Sequence, residues 1–295
     1  MDVVAIFGPT GIGKTGIAIE LAKELRKRGE DPVAVGCDAI QVYRGLELIS
    51  GAPSPVQRKS LKHLLVGVAG FHEEFSVGRF TELAHPAIDD LLGSGRRPIV
   101  VGGTGLYLRA ALAPLDLRPS VPAIVREEVE RDLAARGSQA LHADLPEELA
   151  SGVHPNDHKR VARLTALIRL GIAPHTSSAG LWTEALRHPT VLAGLLIDRA
   201  ELHTRIDLRV DAMVAAGAVG EVTRASTAGI SRTARAAIGY DELLAGDIEG
   251  MKRAQRAFAR RQLTWMRRMP GVETIDRTGR DDAEVAAEIL AMIAK

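Results

Sequence analysis

The sequence predicts an α/β fold, in which helices flank a parallel sheet and a helical segment interrupts the chain. The first observation is a glycine-rich loop near the N-terminus that follows an apolar run and opens a helical pattern. The second is a series of short continuous apolar runs, the pattern of strands that are buried on both faces of a parallel sheet. The third is a change of composition after Leu115, where charged helical patterns replace strand patterns until Thr190. The predicted core therefore comprises residues 1–115 and 189–295, and the predicted helical insertion domain comprises residues 116–188.

The N-terminal loop reads Gly-Pro-Thr-Gly-Ile-Gly-Lys-Thr at residues 8–15, directly after the apolar run Val3 to Phe7. A strand, a loop of this spacing and a helix together are the context of a phosphate-binding loop, or P-loop. Its glycines let backbone N–H groups curl around phosphate oxygens, Lys14 reaches the outer phosphate, and the Thr15 hydroxyl can bind Mg²⁺. The loop predicts a bound diphosphate or triphosphate but does not decide which, or whether phosphate is transferred. The predicted contacts are Gly8, Thr10, Gly11, Gly13, Lys14 and Thr15.

Two further strands are predicted to end at the same edge of the sheet. Pro32 to Gly36 leads to Asp38, and Arg97 to Val101 leads to a glycine turn that contains Thr104. Parallel strands bring their carboxyl ends together, so Asp38 and Thr104 are expected near the bound phosphates. From its position alone, Asp38 is equally well explained as a helix cap.

Later elements follow the same logic. Thr81 to Leu92 is predicted as a helix, Thr190 to Ile197 as a buried strand that ends at Asp198, and Arg199 to Ala216 as a helix. On this last helix, Arg205 and Arg209 lie one turn apart.

Two helical stretches carry concentrated positive charge. In the insert, Lys159, Arg160 and Arg163 share one face, which is either an interaction surface or merely solvated. Near the C-terminus, seven basic residues occur without an acidic residue between them, which favours a polyanionic partner. On one helix, Arg253, Arg256 and Arg260 would lie along one face. The seven are Lys252, Arg253, Arg256, Arg260, Arg261, Arg267 and Arg268.

Composition limits the class of protein. The chain has 295 residues, a hydrophobic fraction of 46% and a net charge of only +1, so a nucleic acid would have to meet a local basic surface. The single Cys37 excludes an internal disulfide and suits a reducing compartment. No apolar run reaches about 18 residues, the length that a membrane span requires. We therefore expect a cytoplasmic protein, acting as a monomer, with no membrane partner.

Seven segments, in this order, resemble the tRNA dimethylallyltransferases, also called tRNA isopentenyltransferases. Each match is modest alone, but their order along nearly the whole chain is specific. The segments are GPTGIGKT at 8–15, DAIQVYRGLE at 38–47, PIVVGGTGLYLRA at 98–110, HPND at 154–157, LHTRIDLRVDAMVAAG at 202–217, RAAIGYDEL at 235–243 and RRQLTW at 260–265.

The resemblance implies a P-loop-type core with an inserted helical domain that grips a tRNA anticodon stem-loop. It implies transfer of the dimethylallyl group of dimethylallyl diphosphate to N6 of the adenosine 3′ to the anticodon, with Mg²⁺ and without ATP. Asp38 matches the family's general base, Thr104 its diphosphate-positioning hydroxyl and Arg205 its diphosphate-binding arginine. Lys14 and Thr15 match the diphosphate and Mg²⁺ contacts. The positions expected to contact tRNA are Gln41, Tyr43, Arg44, Lys159, Arg160, Arg163, Arg253, Arg256 and Arg260.

The chain also departs from the family pattern. Ala39 replaces the serine that usually follows the aspartate, and Ser50-Gly51-Ala52-Pro53 replaces a Gly-Thr-Ala-Lys-Pro segment. An aspartate is replaced near Leu65-Val66, and the usual Arg-Ala-Leu-Glu of the insert reads Arg-Leu-Thr-Ala at residues 163–166.

Three alternatives remain open from the sequence. A small-molecule kinase or ATPase would use Asp198 as its Mg²⁺ ligand, but would leave Asp38 and Thr104 without roles. An enzyme that prenylates free adenine nucleotides would not need the insert or the basic C-terminal helix. A nucleotide-dependent switch or RNA-binding module would bind RNA but form no product from dimethylallyl diphosphate.

Overall fold

The computed structural model describes residues 2–115, 120–172 and 183–294. Its main sheet has six strands in the order β4-β2-β6-β1-β7-β8, and every neighbouring pair is parallel. A separate two-stranded sheet pairs β3 with β5. The strands are β1 (Val3–Phe7), β2 (Pro32–Gly36), β3 (Tyr43–Arg44), β4 (His63–Leu64), β5 (Ala69–Gly70), β6 (Arg97–Gly102), β7 (Thr190–Leu196) and β8 (Glu273–Asp276).

Helices cover the sheet, and the fold class predicted from the sequence is confirmed. The first seven are α1 (Lys14–Lys27), α2 (Glu47–Ser50), α3 (Pro55–Ser60), α4 (Val77–Gly93), α5 (Gly105–Leu112), α6 (Ala123–Ala143) and α7 (Glu147–Ala150). The others are α8 (His158–Arg169), α9 (Arg199–Ala215), α10 (Ala218–Thr227), α11 (Arg232–Arg235), α12 (Tyr240–Leu244), α13 (Ile248–Met266) and α14 (Asp282–Ile293).

Strand β1 lies inside the sheet, between β6 and β7, and all five of its residues are buried. Its side chains alternate between two hydrophobic clusters, one on each face, because successive residues of a strand point in opposite directions. Val3, Ala5 and Phe7 belong to one cluster, whereas Val4 and Ile6 belong to the other. This two-sided burial explains why the strand reads as a continuous apolar run.

The chain divides into two compact units, of which the first comprises Met1–Leu115 and Leu181–Lys295 and the second Asp116–Gly180. Within the second unit the described elements are α6, α7 and α8, around a small core of Val129, Leu141 and Val161. Helix α6 is interrupted at Gly137, whose φ of 79° leaves the helical region. Residues 116–119 and 173–182, which belong to the insert predicted at 116–188, lie outside the described residues.

Several elements had no clear signal in the sequence. The stretch between Arg44 and Val77 contains the two short helices α2 and α3 and strands that are only two residues long. Strand β8 and helix α14 complete the sheet edge next to β7 and pack on α1, respectively. In the described part of the chain, no helix is both long and apolar enough to cross a membrane.

Candidate active site at the carboxyl edge of the sheet

The loop at residues 8–15 joins β1 to α1 in a backbone conformation that glycine makes possible. Gly11 and Gly13 have φ values of 82° and 96°, a region that residues with a Cβ rarely adopt. Gly13 is the N-cap of α1, and no side chain caps the helix. The first N–H groups of α1 are therefore open to an anion, which the helix dipole also favours.

Lys14 folds back over this loop. Its Nζ donates hydrogen bonds to the carbonyl oxygens of Gly8, at 2.9 Å, and Pro9, at 3.0 Å. Burial, assisted by the positive charge of Arg209, lowers the pKa of Lys14 to about 7, against the opposing effect of Asp38. An anion bound here would restore the proton to this ammonium group.

Thr10 lies in the loop and forms two hydrogen bonds to side chains of other elements. Its backbone N–H donates to Oε1 of Gln262 at 2.8 Å, and its hydroxyl accepts from Nη1 of Arg209 at 3.0 Å. The Thr10 N–H is thus directed to a protein side chain. An N–H group satisfied by Gln262 has no hydrogen left for a phosphate oxygen, so the predicted contact of Thr10 with a diphosphate could come only from its hydroxyl, and it stays a prediction.

The second predicted turn brings Asp38 and Thr104 together. The hydroxyl of Thr104 accepts a hydrogen bond from the N–H of Ala39 at 3.3 Å, which links the ends of β2 and β6. One carboxylate oxygen of Asp38 accepts from the N–H groups of Ile40, at 2.9 Å, and Gln41, at 3.3 Å. Residues 39–42 form a turn and no helix begins there, so Asp38 is not a helix cap. Among the described residues, its second oxygen forms no hydrogen bond.

Two arginines of α9 reach the P-loop. Nε of Arg205 donates to the carbonyl of Gly11 at 3.2 Å, and its guanidinium lies 3.5 Å from Glu201. Arg209 also bridges to the carbonyl of Ser50, at 3.3 Å. Arg205 was predicted as a site residue and Arg209 was not, although their spacing of one turn already placed them on one helix face.

The segment around Ser50 is held by a buried acid that the sequence analysis did not identify. Glu221, 5% exposed, accepts from the N–H groups of Leu48, at 3.0 Å, and Ile49, at 2.8 Å, and so satisfies the N-terminus of α2. Burial raises the pKa of Glu221, and these two hydrogen bonds oppose the rise. Gln41 donates to the carbonyl of Gly51 at 3.2 Å. Helix α2 thus fixes the segment whose Ser50 and Gly51 carbonyl groups accept hydrogen bonds from Arg209 and Gln41.

The predicted tRNA contacts after Asp38 divide into two kinds. Arg44 is exposed and donates to the carbonyl of Gly67 at 2.9 Å. Tyr43 is only 1% exposed, packs against Phe75 and donates its hydroxyl to Thr233 at 2.7 Å. The prediction that Tyr43 contacts tRNA is therefore wrong for this structure, because its side chain is part of the core.

More of the basic residues of α13 form ion pairs with acidic residues than the sequence suggested. Arg256 forms an ion pair with Asp207 at 2.8 Å, Lys252 with Asp211 at 2.8 Å, and Arg253 with Asp247 at 3.3 Å. The partners lie outside the basic stretch, which is why the linear pattern missed them. In the described ranges Arg260, Arg267 and Arg268 form no ion pair, and all three are exposed. Arg267 and Arg268 follow the end of α13.

In the second unit, the predicted basic face lies on α8. Lys159 and Arg160 are exposed, Arg163 is partly buried, and Arg160 lies 3.4 Å from Asp157, which also caps the helix.

Asp198, the metal ligand that a kinase would need, instead caps α9 by accepting from the N–H groups of Ala200 and Glu201.

The sequence of the chain is similar to known prenyl transferases over most of its length. The sequence profile described as IPP transferase matches residues 41–269, and the profile described as isopentenyl transferase matches residues 1–72. A tRNA dimethylallyltransferase of Thermobifida fusca is 37% identical over 284 residues, which cover 92% of this chain and 88% of the relative. One from Exiguobacterium sibiricum is 39% identical over 281 residues, or 90% of this chain and 86% of the relative.

Solved structures agree with these sequence matches. The full-length tRNA isopentenylpyrophosphate transferase of Bacillus halodurans superimposes with a TM-score of 0.72 and 33% identity, over 99% of this chain and 95% of that chain. A eukaryotic dimethylallyltransferase acting on tRNA superimposes with a TM-score of 0.74 over 94% of this chain and 74% of that chain. Its identity of 24% supports likeness of fold.

Proposed function

The chain belongs to the IPP transferase family, and from this premise we propose that it transfers the dimethylallyl group of dimethylallyl diphosphate to tRNA. The acceptor we propose is N6 of the adenosine on the 3′ side of the anticodon. The observation that carries the proposal is the placement of a carboxylate, Asp38, and a hydroxyl, Thr104, on turns that the sheet brings next to a P-loop. A phosphate-transfer enzyme would need the loop but not this pair.

In the proposed reaction, N6 of the adenosine attacks C1 of the dimethylallyl group. The bond between C1 and the diphosphate oxygen breaks, and its electron pair leaves with the diphosphate. Asp38 accepts the N6 proton through the carboxylate oxygen that the turn does not use, so that a neutral secondary amine remains. The adenine base must leave its stack to reach this carboxylate.

The leaving diphosphate gains negative charge as the carbon–oxygen bond breaks. Lys14 and Arg205, which both donate hydrogen bonds to carbonyl groups of the P-loop, would supply positive charge to the diphosphate, while the N–H groups at the start of α1 would supply hydrogen-bond donors. Donors that are fixed before the reaction stabilise such a charge without reorganisation. We assign to Thr104 the orientation of the same diphosphate through its hydroxyl hydrogen, which is free to donate because its oxygen accepts from Ala39.

A magnesium ion fits the donors of this site. Among the described residues, no group of three or more histidine, cysteine, aspartate or glutamate side chains could hold a metal on its own. The Thr15 hydroxyl forms no hydrogen bond in the described part of the chain and follows Lys14 in the first turn of α1. Mg²⁺ ordinarily takes one or two protein ligands and completes its shell with phosphate oxygens and water. When bound, the ion would neutralise charge on the diphosphate.

We assign tRNA binding to two basic surfaces, one in each of the two units. In the first unit it is the exposed side of α13 with Arg260, and the following Arg267 and Arg268, together with Arg44 and Gln41 near Asp38. In the second unit it is the face of α8 formed by Lys159, Arg160 and Arg163. The net charge of +1 is too small to attract RNA to the protein as a whole, so these local positive charges would supply the attraction.

The proposal is tested by incubating the protein with dimethylallyl diphosphate, Mg²⁺ and unmodified tRNA, followed by nucleoside mass analysis. Parallel reactions contain adenosine monophosphate in place of tRNA, or ATP in place of dimethylallyl diphosphate. We expect a dimethylallyl adenosine only in the tRNA reaction, with release of diphosphate. Prenylation of the free nucleotide, or hydrolysis of ATP without prenylated product, would contradict the proposal.

A further inference from the structure

Two loops of the candidate site are tied together by one buried side chain of α13. Gln262 is 4% exposed and lies between the P-loop and the glycine turn that follows β6. Its Oε1 accepts the N–H of Thr10, and its Nε2 donates to the carbonyl of Gly103, both at 2.8 Å. The orientation of the amide is fixed, because a backbone N–H can only donate and a carbonyl can only accept.

The glycine turn is shaped to admit this helix. A Cβ on Gly103 would lie 2.2 Å from Nε2 of Gln262, and a Cβ on Gly105 would lie 2.4 Å from a ring carbon of Trp265. Both glycines therefore allow α13 to approach closer than any larger residue would permit. Gln262 and Trp265 are three residues apart, on one face of the helix.

The turn that Gln262 contacts carries Thr104, and the loop that it contacts carries Lys14. The same Gly103 Cβ position lies 3.3 Å from Nζ of Lys14, which places Lys14 and Gln262 on one side of the turn. Strands β1 and β6 are neighbours in the sheet, with Phe7 opposite Gly102, but the loops that follow them are irregular. The sheet fixes where the two loops begin, and the amide of Gln262 fixes the distance between them beyond that point.

We propose that Gln262 is a positioning residue, which sets the P-loop and the Thr104 turn at the spacing that the transfer reaction requires. The inference rests on the proposed function, because that function assigns one diphosphate to both loops. Gln262 itself does not touch the substrate. Both of its polar side-chain atoms form hydrogen bonds to the protein backbone. The N–H of Thr10 is therefore not available to the diphosphate.

Two substitutions separate the halves of this contact. Gln262→Met keeps the length of the side chain and removes both hydrogen bonds. Gln262→Glu retains an acceptor for the Thr10 N–H but replaces the donor to Gly103 with a second oxygen. The matched control is Gln255→Met, two turns earlier on α13. Gln255 is also buried, at 7% exposure, and its Nε2 donates at 3.0 Å to the carbonyl of Ile238, which belongs to neither the P-loop nor the Thr104 turn.

The experiment measures kcat and KM for tRNA prenylation, the Kd for inorganic diphosphate by calorimetry, and the thermal midpoint of each variant. All activity measurements are made well below that midpoint, so that each refers to folded protein. We expect both Gln262 variants to lower kcat by about 10- to 100-fold, since displacement of a reacting group by about 1 Å has effects of this size. They should also weaken diphosphate binding. Gln255→Met should lower the midpoint but leave kcat and the Kd unchanged.

Wild-type kcat and Kd in folded Gln262→Met and Gln262→Glu would overturn the inference and reduce Gln262 to a packing residue. Equal losses in Gln255→Met would also overturn it, because the effect would then belong to the whole helix. If Gln262→Met does not fold, Gln262→Glu decides, since it keeps the acceptor for the Thr10 N–H and removes only the donor to Gly103. Failure of the proposed function is distinguishable, because the wild-type protein would then form no prenylated tRNA.

Discussion

Lys14 offers a quantitative test of the diphosphate site through its protonation. Burial and Arg209 lower its pKa to about 7, so at pH 8 only about one molecule in ten carries the proton. A bound diphosphate favours the charged lysine and raises this pKa well above 8. Binding should therefore take up about 0.9 proton at Lys14 at pH 8 and about 0.1 proton at pH 6.

Calorimetry in buffers of different ionisation enthalpy measures this uptake. Diphosphate also exchanges protons of its own, and Lys14→Arg serves as the control, because arginine stays charged throughout this pH range. Subtracting the value for Lys14→Arg from that of the wild type leaves the contribution of Lys14. A difference that is the same at pH 6 and pH 8 would refute the reasoning, since it would mean that the protonation of free Lys14 does not change between these pH values.

Three further perturbations test other parts of the account. Asp38→Asn should lower the single-turnover rate of prenylation by about 10²–10⁴-fold with little change in the Kd for diphosphate, and near-wild-type turnover would remove Asp38 as the base. Arg260→Ala should reduce the slope of log affinity for an anticodon stem-loop against log salt by about 0.7–0.9, whereas Arg256→Ala should change it less, because Asp207 already neutralises that arginine. Equal slopes for wild type and Arg260→Ala would exclude this part of α13 from the RNA interface. Glu221→Ala should lower the free energy of unfolding in urea by about 2–4 kcal/mol, because two buried N–H groups of α2 lose their acceptor, and a loss below about 0.5 kcal/mol would show that water replaces it.

The parts of the fold that the sequence predicted are those with a short-range signal. The P-loop, β2, β6 and β7 read correctly because a strand buried on both faces is apolar throughout, and a glycine pattern marks the turn that follows. Strand β8 was missed because only Ile275 of its four residues is buried. Helix α2 was missed because its stability comes from Glu221, which lies far away in the sequence and satisfies its N-terminus.

In the candidate site, too, side-chain contacts between residues far apart in the sequence could not be predicted. Lys14 was placed by the P-loop pattern, and Asp38 and Thr104 by the strands that precede them, since parallel strands end at one edge. Tyr43 was assigned to RNA from the resemblance to the family, yet its neighbours along the chain do not reveal that its ring packs against Phe75 and its hydroxyl donates to Thr233. The charge of Arg256 looked uncompensated for a similar reason, because Asp207 lies on another helix. Gln262 lies in the segment RRQLTW that resembles the family, but its contacts with Thr10 and Gly103 could not be predicted, because both partners lie far away in the sequence.

The most direct test of the account uses two synthetic anticodon stem-loops that differ only at the nucleotide 3′ to the anticodon, adenosine in one and guanosine in the other. Each is incubated with dimethylallyl diphosphate and Mg²⁺, and the products are mapped by fragment mass spectrometry together with the amount of diphosphate released. We expect one dimethylallyl group on that adenosine for each diphosphate released, and no product on the guanosine stem-loop. Prenylation of both stem-loops, or diphosphate release without modified adenosine, would contradict it.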